Sequence, residues 1–134
     1  LKCEARGTDL QALDEQVDHM VHCFEEAASK WSATVEVEHE RHYIAYNVPA
    51  DSPVVTLAQN ASVALGMDPA LRTTLGGSDA NIYNGKGLPC VVLGTGMEKI
   101  HTHDEFISRQ DLINTAKLAL EILLRASTLQ RAGG

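Results

Sequence analysis

Residues 88–96 read Leu-Pro-Cys-Val-Val-Leu-Gly-Thr-Gly, and this stretch decides the fold class that the sequence predicts. Its unbroken apolar run, 88–93, is typical of a strand that is buried on both faces in a parallel sheet. Pro89 fits the first residue of such a strand, because its missing N–H costs least there. Residues 70–75 are a second, short strand candidate. Together these runs predict an α/β fold for residues 50–127, in which helices alternate with strands.

Helical patterns lie on both sides of this stretch. One helix is expected over residues 53–65, where Gly66 ends it, and a short one over residues 79–84. Beyond the stretch, Ser108 offers a cap for a last helix, with Asp111 in its first turn. The periodic apolar residues of that last helix predict its buried face, which comprises Leu112, Ile113, Ala116, Leu120, Leu123 and Leu124.

The first third of the chain predicts a strand, a helix and a second strand. Residues 1–6 and 34–46 alternate apolar and polar side chains, as half-buried strands do. Thr8 is the expected N-cap of the helix between them, with Gln11 completing a capping box. A linker with two prolines, 49–53, then marks a domain boundary. The helix has an apolar stripe that predicts a core-facing surface, namely Leu10, Leu13, Val17, Met20, Val21, Phe24, Ala28 and Trp31.

Composition excludes some classes of function. The net charge is −7, and the 11 Lys and Arg residues form no run, so the surface does not suit a nucleic acid or an anionic membrane. No apolar run approaches the roughly 20 residues that a membrane-spanning helix needs. The three cysteines, Cys3, Cys23 and Cys90, are widely spaced and form no Cys-x-x-Cys pair. This pattern indicates buried thiols in a reducing compartment. We therefore expect a cytoplasmic protein.

Three loops are candidates for chemistry: 76–79, the Gly-Thr-Gly loop at 94–96, and 101–105. The first two follow predicted strands, and the C-terminal ends of parallel strands meet at one sheet edge, so the three loops are expected to converge there. Each loop also has an ordinary structural explanation. The double glycine is a tight turn in which Asp79 caps a helix, and the two histidines of the third loop, His101 and His103, are either a metal-chelating pair or surface side chains. The Gly-Thr-Gly loop lacks the spacing and the Lys-Ser pair of a phosphate-binding loop, which excludes that ligand.

At these loops the sequence resembles, in order and spacing, the C-terminal signature of peptidase T-like aminopeptidases, which share a superfamily with aminoacylases and glutamate carboxypeptidases. The signature comprises Gly-Gly-Ser-Asp-Ala-Asn at 76–81, Gly-Leu-Pro at 87–89, Leu-Gly-Thr-Gly at 93–96 and His-x-x-Asp-Glu-Phe at 101–106. The resemblance covers nearly all of the chain and identifies it as a C-terminal fragment of such an enzyme. It implies half of a ferredoxin-like α+β lid domain at 1–48. It also implies the C-terminal part of a mostly parallel α/β zinc-peptidase catalytic domain at 49–134.

The resemblance implies a metal-dependent exopeptidase that hydrolyses short peptides through two zinc ions, with cobalt or manganese as alternative metals. Of the family's metal ligands only the final histidine has a counterpart, His101, and no catalytic residue is present. Arg6, Gly94 and Gly96 correspond to substrate-binding positions. Many tripeptidases carry Arg directly before the first loop, where this chain has Leu75, which leaves the tripeptide specificity open. The residues implied to support the site are Gly76, Gly77, Ser78, Asp79 and Asn81.

By itself the chain is expected to lack peptidase activity and to bind zinc weakly, because a zinc site takes at least three protein ligands. We expect His101 to lie near both glycine loops, and His103 to matter less. The resemblance also implies short peptides as substrates, a homodimer formed through the lid, and a missing lid strand that leaves strands 1–6 and 34–46 with unpaired edges. Two alternatives stay open. One is an amidohydrolase of the same superfamily, such as a deacylase or desuccinylase, and the other is a non-catalytic interaction fragment.

Overall fold

The structure is a computed structural model that describes residues 1–132, with side chains described as far as residue 128. Within these residues the chain forms α1 (Leu10–Lys30), α2 (Pro53–Ala64), α3 (Asp79–Gly85), β1 (Met97–Glu98), β2 (Phe106–Ile107) and α4 (Arg109–Ala132). None of these helices combines the length and the apolar content needed to cross a membrane. Backbone contacts divide the chain into two compact units: the first joins Leu1–Asn47 to Thr73–Leu88, and the second joins Val48–Arg72 to the chain from Pro89 onward. The fold mixes helix and sheet, as the sequence predicts.

The helix of the first unit, α1, has a different cap from the predicted one. Asp9 is its N-cap, and the Asp9 carboxylate accepts a hydrogen bond from the backbone N–H of Ala12 at 2.8 Å. The prediction of Thr8 is wrong, because a carboxylate at the next position both satisfies a helix N–H and suits the positive end of the helix dipole. Gln11, expected in a capping box, instead donates from Nε2 to the Glu15 carboxylate at 2.9 Å.

The apolar stripe of α1 is its most shielded face, although no residue of α1 is fully buried. Leu10 and Trp31, at the two ends of the stripe, are exposed. On the polar face, the Asp14 carboxylate pairs with Arg41. The apolar periodicity of α1 therefore predicts the correct face of the helix, although that face is only half-buried. Its half-buried members are Leu13, Val17, Met20, Val21, Phe24 and Ala28.

The four predicted strands are not formed, since residues 1–6, 34–46, 70–75 and 88–93 carry no strand. A strand exists only where neighbouring backbone satisfies its N–H and C=O groups. Among the described backbone hydrogen bonds, none joins the segment 1–6 to the segment 34–46. These four segments have strand-like sequence patterns but no partner strand among residues 1–132. The predicted parallel sheet is therefore absent from that part of the chain.

The one sheet within the described residues is an antiparallel hairpin of β1 and β2. In its register Met97 pairs with Ile107 and Glu98 pairs with Phe106. The hairpin begins directly after the Gly-Thr-Gly loop and ends directly before the cap of α4. It therefore ties the second and third candidate loops to one small element.

The second unit is built on the packing of α2 against α4. Pro53 is the first residue of α2, where its fixed φ suits a helix start. Leu65 closes the helix, and Gly66 follows in the left-handed region at φ +69°. Val55 and Ala61 are the buried residues of α2, at 4% and 0% exposure. The bounds of this helix agree with the prediction.

The last helix, α4, turns its predicted buried face to solvent. Ser108 caps α4 as predicted, and its hydroxyl accepts from the backbone N–H of Asp111 at 3.0 Å. The half-buried face carries Thr115, Leu118 and Ile122. The prediction for the buried face is wrong, because α2 and the Gly-Thr-Gly loop occupy the other side of the helix. The exposed residues are the predicted ones, Leu112, Ile113, Ala116, Leu120, Leu123 and Leu124.

Two of the three cysteines are exposed rather than buried. Cys3 lies in the segment without a partner strand, and Cys23 lies on the surface of α1, where its Sγ is 3.6 Å from Nε2 of His19. Cys90 is half-buried. The predicted burial of Cys3 and Cys23 is therefore wrong, since neither residue belongs to a covered apolar face.

Candidate functional site

The Gly-Thr-Gly loop is held against the start of α4 by two contacts within the second unit. The hydroxyl of Thr115 donates to the carbonyl of Thr95 at 3.3 Å. Gly96 adopts φ +81°, and a Cβ at this position would lie 2.8 Å from the Cβ and Cγ of Asp111. Glycine is required at 96 for two reasons, namely the left-handed backbone and the close approach of a helix.

Gly94, two residues earlier in the same loop, has different surroundings. A Cβ built on Gly94 would meet no heavy atom within 4 Å. Packing therefore does not require glycine at this position. The missing side chain leaves the backbone of the loop approachable, which is what a backbone donor to a substrate oxygen needs.

The hairpin carries His101 in the loop between its strands, 99–105. The strand pairing places this loop at the end of the hairpin away from Gly96. His101 is exposed and adopts φ +66°, in the left-handed region, which costs a non-glycine residue roughly 1–2 kcal/mol. Strain of this kind is concentrated at functional sites and tight turns.

Two side chains of the hairpin loop hold the conformation of His101. The Glu105 carboxylate accepts from the backbone N–H of His101 at 2.8 Å. The Thr102 hydroxyl donates to the carbonyl of Lys99 at 2.7 Å and accepts from the backbone N–H of Asp104 at 3.2 Å. These bonds brace the loop on both sides of the histidine, so the imidazole is carried by a hydrogen-bonded turn.

The turn before α3 is ordered by contacts inside the first unit. Ser78 is the N-cap of α3, and Asp79, the expected cap, is instead its first residue. The backbone N–H of Ser78 donates to Oδ1 of Asn81 at 2.9 Å. Asn81 is only 7% exposed, and its Nδ2 donates to the carbonyl of Ile44 at 2.9 Å. Asn81 thus joins the start of α3 to a distant segment of the same unit.

The two glycines of this turn also have structural uses. The backbone N–H of Gly76 donates to the Thr74 hydroxyl at 3.1 Å. A Cβ on Gly77 would overlap the hydroxyl and ring of Tyr43. The role of residues 76–81 in supporting a ligand site stays a prediction, since these contacts are all internal to the first unit.

Arg6 lies beside the N-terminal turn of α1. Its Nε donates to the Glu4 carboxylate at 2.6 Å, and 49% of the Arg6 side chain is exposed. This hydrogen bond, together with the attraction of opposite charges, lowers the pKa of Glu4 and raises the pKa of Arg6. An open cavity of about 240 Å³ adjoins Arg6, and it is also lined by Gly7, Thr8, Asp9, Ala12, Leu13 and Gln16.

The predicted site residues divide between the two units. His101, Gly94 and Gly96 belong to the second unit, whereas Arg6 and the turn 76–81 belong to the first. The sheet edge on which the loops were expected to converge is not formed, because its strands lack partners. In the described part of the chain, no three His, Cys, Asp or Glu side chains come together as a metal-holding group. A complete zinc site takes at least three ligands, so these residues do not form one, and His101 fits only as a single donor.

Sequence reasoning missed the side chains that shape the second unit's loops. Thr102 closes the hairpin loop, Glu105 holds the N–H of His101, and Thr115 anchors the Gly-Thr-Gly loop. A signal for the first was present, because a threonine hydroxyl often bonds the backbone N–H two residues further on, here that of Asp104. Nothing in the sequence signals the contact of Thr115, since it depends on how α4 packs.

Comparison with known proteins finds similarity along most of the chain. Residues 4–125 match the family described as Peptidase family M20/M25/M40. The uncharacterized protein YqjE of Bacillus subtilis (strain 168) is 36% identical over 124 residues, which make up 92% of this chain and 33% of YqjE.

Two solved structures are also similar. A tripeptidase from Staphylococcus aureus subsp. aureus Mu50 matches with a TM-score of 0.77 and 36% identity, covering 87% of this chain and 31% of that one. Aminopeptidase PepT from Bacillus cereus ATCC 10987 matches with a TM-score of 0.68 and 34% identity, covering 85% of this chain and 31% of that one. The chain therefore spans about a third of the length of each of these relatives.

Proposed function

Since the chain belongs to peptidase family M20/M25/M40 and is peptidase T-like within it, we propose that it forms part of a metal-dependent exopeptidase. The proposed reaction is the removal of the N-terminal residue from short peptides at a site with two zinc ions. This substrate class is supported by two relatives, a tripeptidase at 36% identity and an aminopeptidase at 34% identity. We place the enzyme in the cytoplasm, as a homodimer formed through its lid.

The conformation of His101 is the observation that carries the proposal. A histidine at φ +66° is strained, yet Glu105 and Thr102 hold its loop in that state. Lys99, in the same loop, is also at positive φ, as a tight turn allows. What supports a ligand role is that these hydrogen bonds fix the backbone beneath the imidazole, as a metal ligand needs. We therefore assign to His101 the role of one nitrogen ligand.

The remaining ligands and the general base are proposed to come from polypeptide outside these 134 residues. Zinc, when bound, activates a water molecule and polarises the peptide carbonyl. The contribution of this chain is narrower. His101 supplies one imidazole, and the backbone at Gly94 offers hydrogen bonds to a substrate oxygen. The chain alone is accordingly proposed to be inactive.

Arg6 is proposed to bind a substrate carboxylate from the lid part of the enzyme, residues 1–48. Its guanidinium can fork onto a carboxylate through two N–H groups. In this structure Nε already donates to Glu4, so the substrate would compete with Glu4 or use the Nη groups. The catalytic part is proposed to span residues 49–134.

A chimera tests the proposed function. In it, the segment of the S. aureus tripeptidase that matches this chain is replaced by the chain itself. We expect the zinc-loaded chimera to hydrolyse tripeptides, and we expect the isolated chain to show no turnover under the same conditions. A folded, metal-loaded chimera without turnover would favour the non-catalytic interaction fragment, and turnover by the isolated chain would contradict the assigned ligand set.

Leu75 favours one alternative within the superfamily, a deacylase or desuccinylase. It is 63% exposed and occupies the position where many tripeptidases are expected to carry Arg. An aliphatic side chain cannot pair with a peptide carboxylate, so it removes one source of tripeptide specificity. The chimera should therefore be offered tripeptides and N-acyl amino acids in parallel. Faster hydrolysis of the N-acyl amino acids would favour the alternative.

A further inference from the structure

One histidine and one cysteine on the exposed side of α1 hold two metal-ligand atoms close together. Nε2 of His19 lies 3.6 Å from Sγ of Cys23, which is one helical turn further on. Both side chains are exposed. Residues four apart are neighbours on a helix surface, so the backbone of α1 keeps the two side chains side by side.

The pair lies away from the contact face of α1. At about 100° per residue, His19 is about 160° around the helix from Val17, which belongs to the half-buried apolar stripe. His19 and Cys23 are therefore not needed for the packing of the helix. The pair also differs from the proposed metal ligand His101, which belongs to the second unit.

The distance between the two ligand atoms matches the geometry of a bound zinc ion. Zinc binds a thiolate at about 2.3 Å and an imidazole nitrogen at about 2.0–2.1 Å, in a tetrahedral arrangement. With these bond lengths and an angle of about 109°, the sulfur and the nitrogen are about 3.6 Å apart. One ion can therefore bond to both atoms while their separation of 3.6 Å is kept. Without an ion, the same distance suits a weak hydrogen bond between the thiol and the imidazole.

We propose that His19 and Cys23 form a two-ligand chelate for a transition-metal ion such as zinc. Thiolate and imidazole suit zinc and copper, whereas magnesium and calcium take oxygen ligands. Binding releases the thiol proton to solvent, because the thiolate is the ligand. The exposed carboxylates of Glu15 and Glu26, on the same side of α1, attract cations toward the pair.

No third protein ligand joins this chelate in the structure. Among the described residues, no three His, Cys, Asp or Glu side chains come together. His22, next to Cys23 in the sequence, pairs with Glu26 instead, with Nε2 and Oε1 3.2 Å apart. Two positions of a tetrahedral ion are thus left to water, and the chelate is weaker than a site with three or four protein ligands. Dialysis is therefore expected to empty it.

The test uses cobalt(II) as the probe, because a cobalt–thiolate bond adds a charge-transfer absorption band that nitrogen and oxygen ligands do not give. The reduced chain is titrated with cobalt and then with zinc, magnesium or calcium. Cys23→Ser and His19→Ala remove the two ligands. The matched controls are Cys3→Ser, which removes another exposed thiol, and His22→Ala, which removes another exposed imidazole of α1. Circular dichroism serves to show that each variant is folded.

We expect one thiolate-bound cobalt per chain, and we expect Cys23→Ser to abolish the band. His19→Ala should weaken cobalt binding by on the order of tenfold or more, because the second bond of a chelate forms within one molecule. Cys3→Ser and His22→Ala should keep both the band and the affinity. Zinc should displace cobalt and remove the band, whereas magnesium and calcium should leave it unchanged.

Four results would overturn the proposal. An unsubstituted chain without the band would show that the pair binds no metal. A band that survives Cys23→Ser would assign the thiolate to another cysteine. An unchanged affinity in His19→Ala would show that the imidazole is not a ligand. A doubling of the mass in light scattering when zinc is added would show that a second copy supplies ligands. These readouts do not involve catalysis, so failure of the proposed peptidase activity would leave this test intact.

Discussion

The turn 76–81 and the Gly-Thr-Gly loop both place glycines at or near the N-terminal end of a helix, but the surroundings of those glycines differ. In the turn, Gly77 lies against the ring of Tyr43, and Asn81 is buried with both ends of its amide bonded. In the loop, Gly96 lies against Asp111, whereas a Cβ at Gly94 would meet open space.

The comparison shows how the loop that we propose for substrate binding differs from a turn of similar composition. In the turn both glycines face atoms of the same unit: a Cβ on Gly77 would overlap Tyr43, and a Cβ on Gly76 would lie 3.4 Å from the Thr74 hydroxyl. In the proposed loop one glycine lies against the helix, and the other leaves the backbone open to the approach of a ligand. By this criterion Gly96 is the base of the loop and Gly94 is its open edge.

Paired glycine substitutions in the loop give the largest expected effect on stability. Gly96→Ala should lower the free energy of unfolding by about 2–4 kcal/mol, because it forces alanine to a positive φ and against Asp111. Gly94→Ala, the matched control, should change it by less than about 1 kcal/mol. Urea unfolding followed by circular dichroism measures both. Equal losses for the two variants would remove the distinction between base and open edge.

A substitution in the turn gives a smaller effect. Asn81→Ala should cost about 1–3 kcal/mol of unfolding free energy, since it leaves the Ser78 N–H and the Ile44 carbonyl without their partner. Asn60→Ala, at an exposed position of α2, is the control and should be near neutral. A neutral Asn81→Ala would mean that Asn81 is not a structural tie, and the turn would again be a candidate for ligand contact.

Sequence patterns identify the helices of this chain well and its strands poorly. A helix forms its backbone hydrogen bonds within its own segment, so local sequence signals suffice to locate it. The apolar periodicity locates α1, and Pro53 and Gly66 mark the two ends of α2. A strand depends on a neighbour, and the run 88–93 has none among the described residues. The prediction of the buried face of α4 is wrong for a related reason. An apolar stripe predicts that a helix face is covered, but it does not identify the segment that covers it. His101 is a candidate site residue on the motif alone, and its left-handed backbone is visible only in the structure.

The smallest expected effect concerns the ion pair at Arg6. The pKa of Glu4 is lowered by Arg6, so the pair contributes stability above the ordinary pKa of a glutamate and loses it as pH falls through the lowered value. Both side chains are exposed, and the contribution to stability is screened by water and salt. Arg6→Ala should return the pKa of Glu4 toward its ordinary value in an NMR titration, whereas Lys2→Ala should move it less. An unchanged pKa in Arg6→Ala would show that the pair does not persist in solution.

The zinc content of the chimera tests the central claim most directly, namely that His101 is a metal ligand. After dialysis, elemental analysis should find about two zinc ions per chain in the chimera and in its His103→Ala variant. The His101→Ala variant should lose about one of them. Circular dichroism serves to show that all three proteins are folded. Full zinc content in His101→Ala, or a loss confined to His103→Ala, would contradict the assignment of His101.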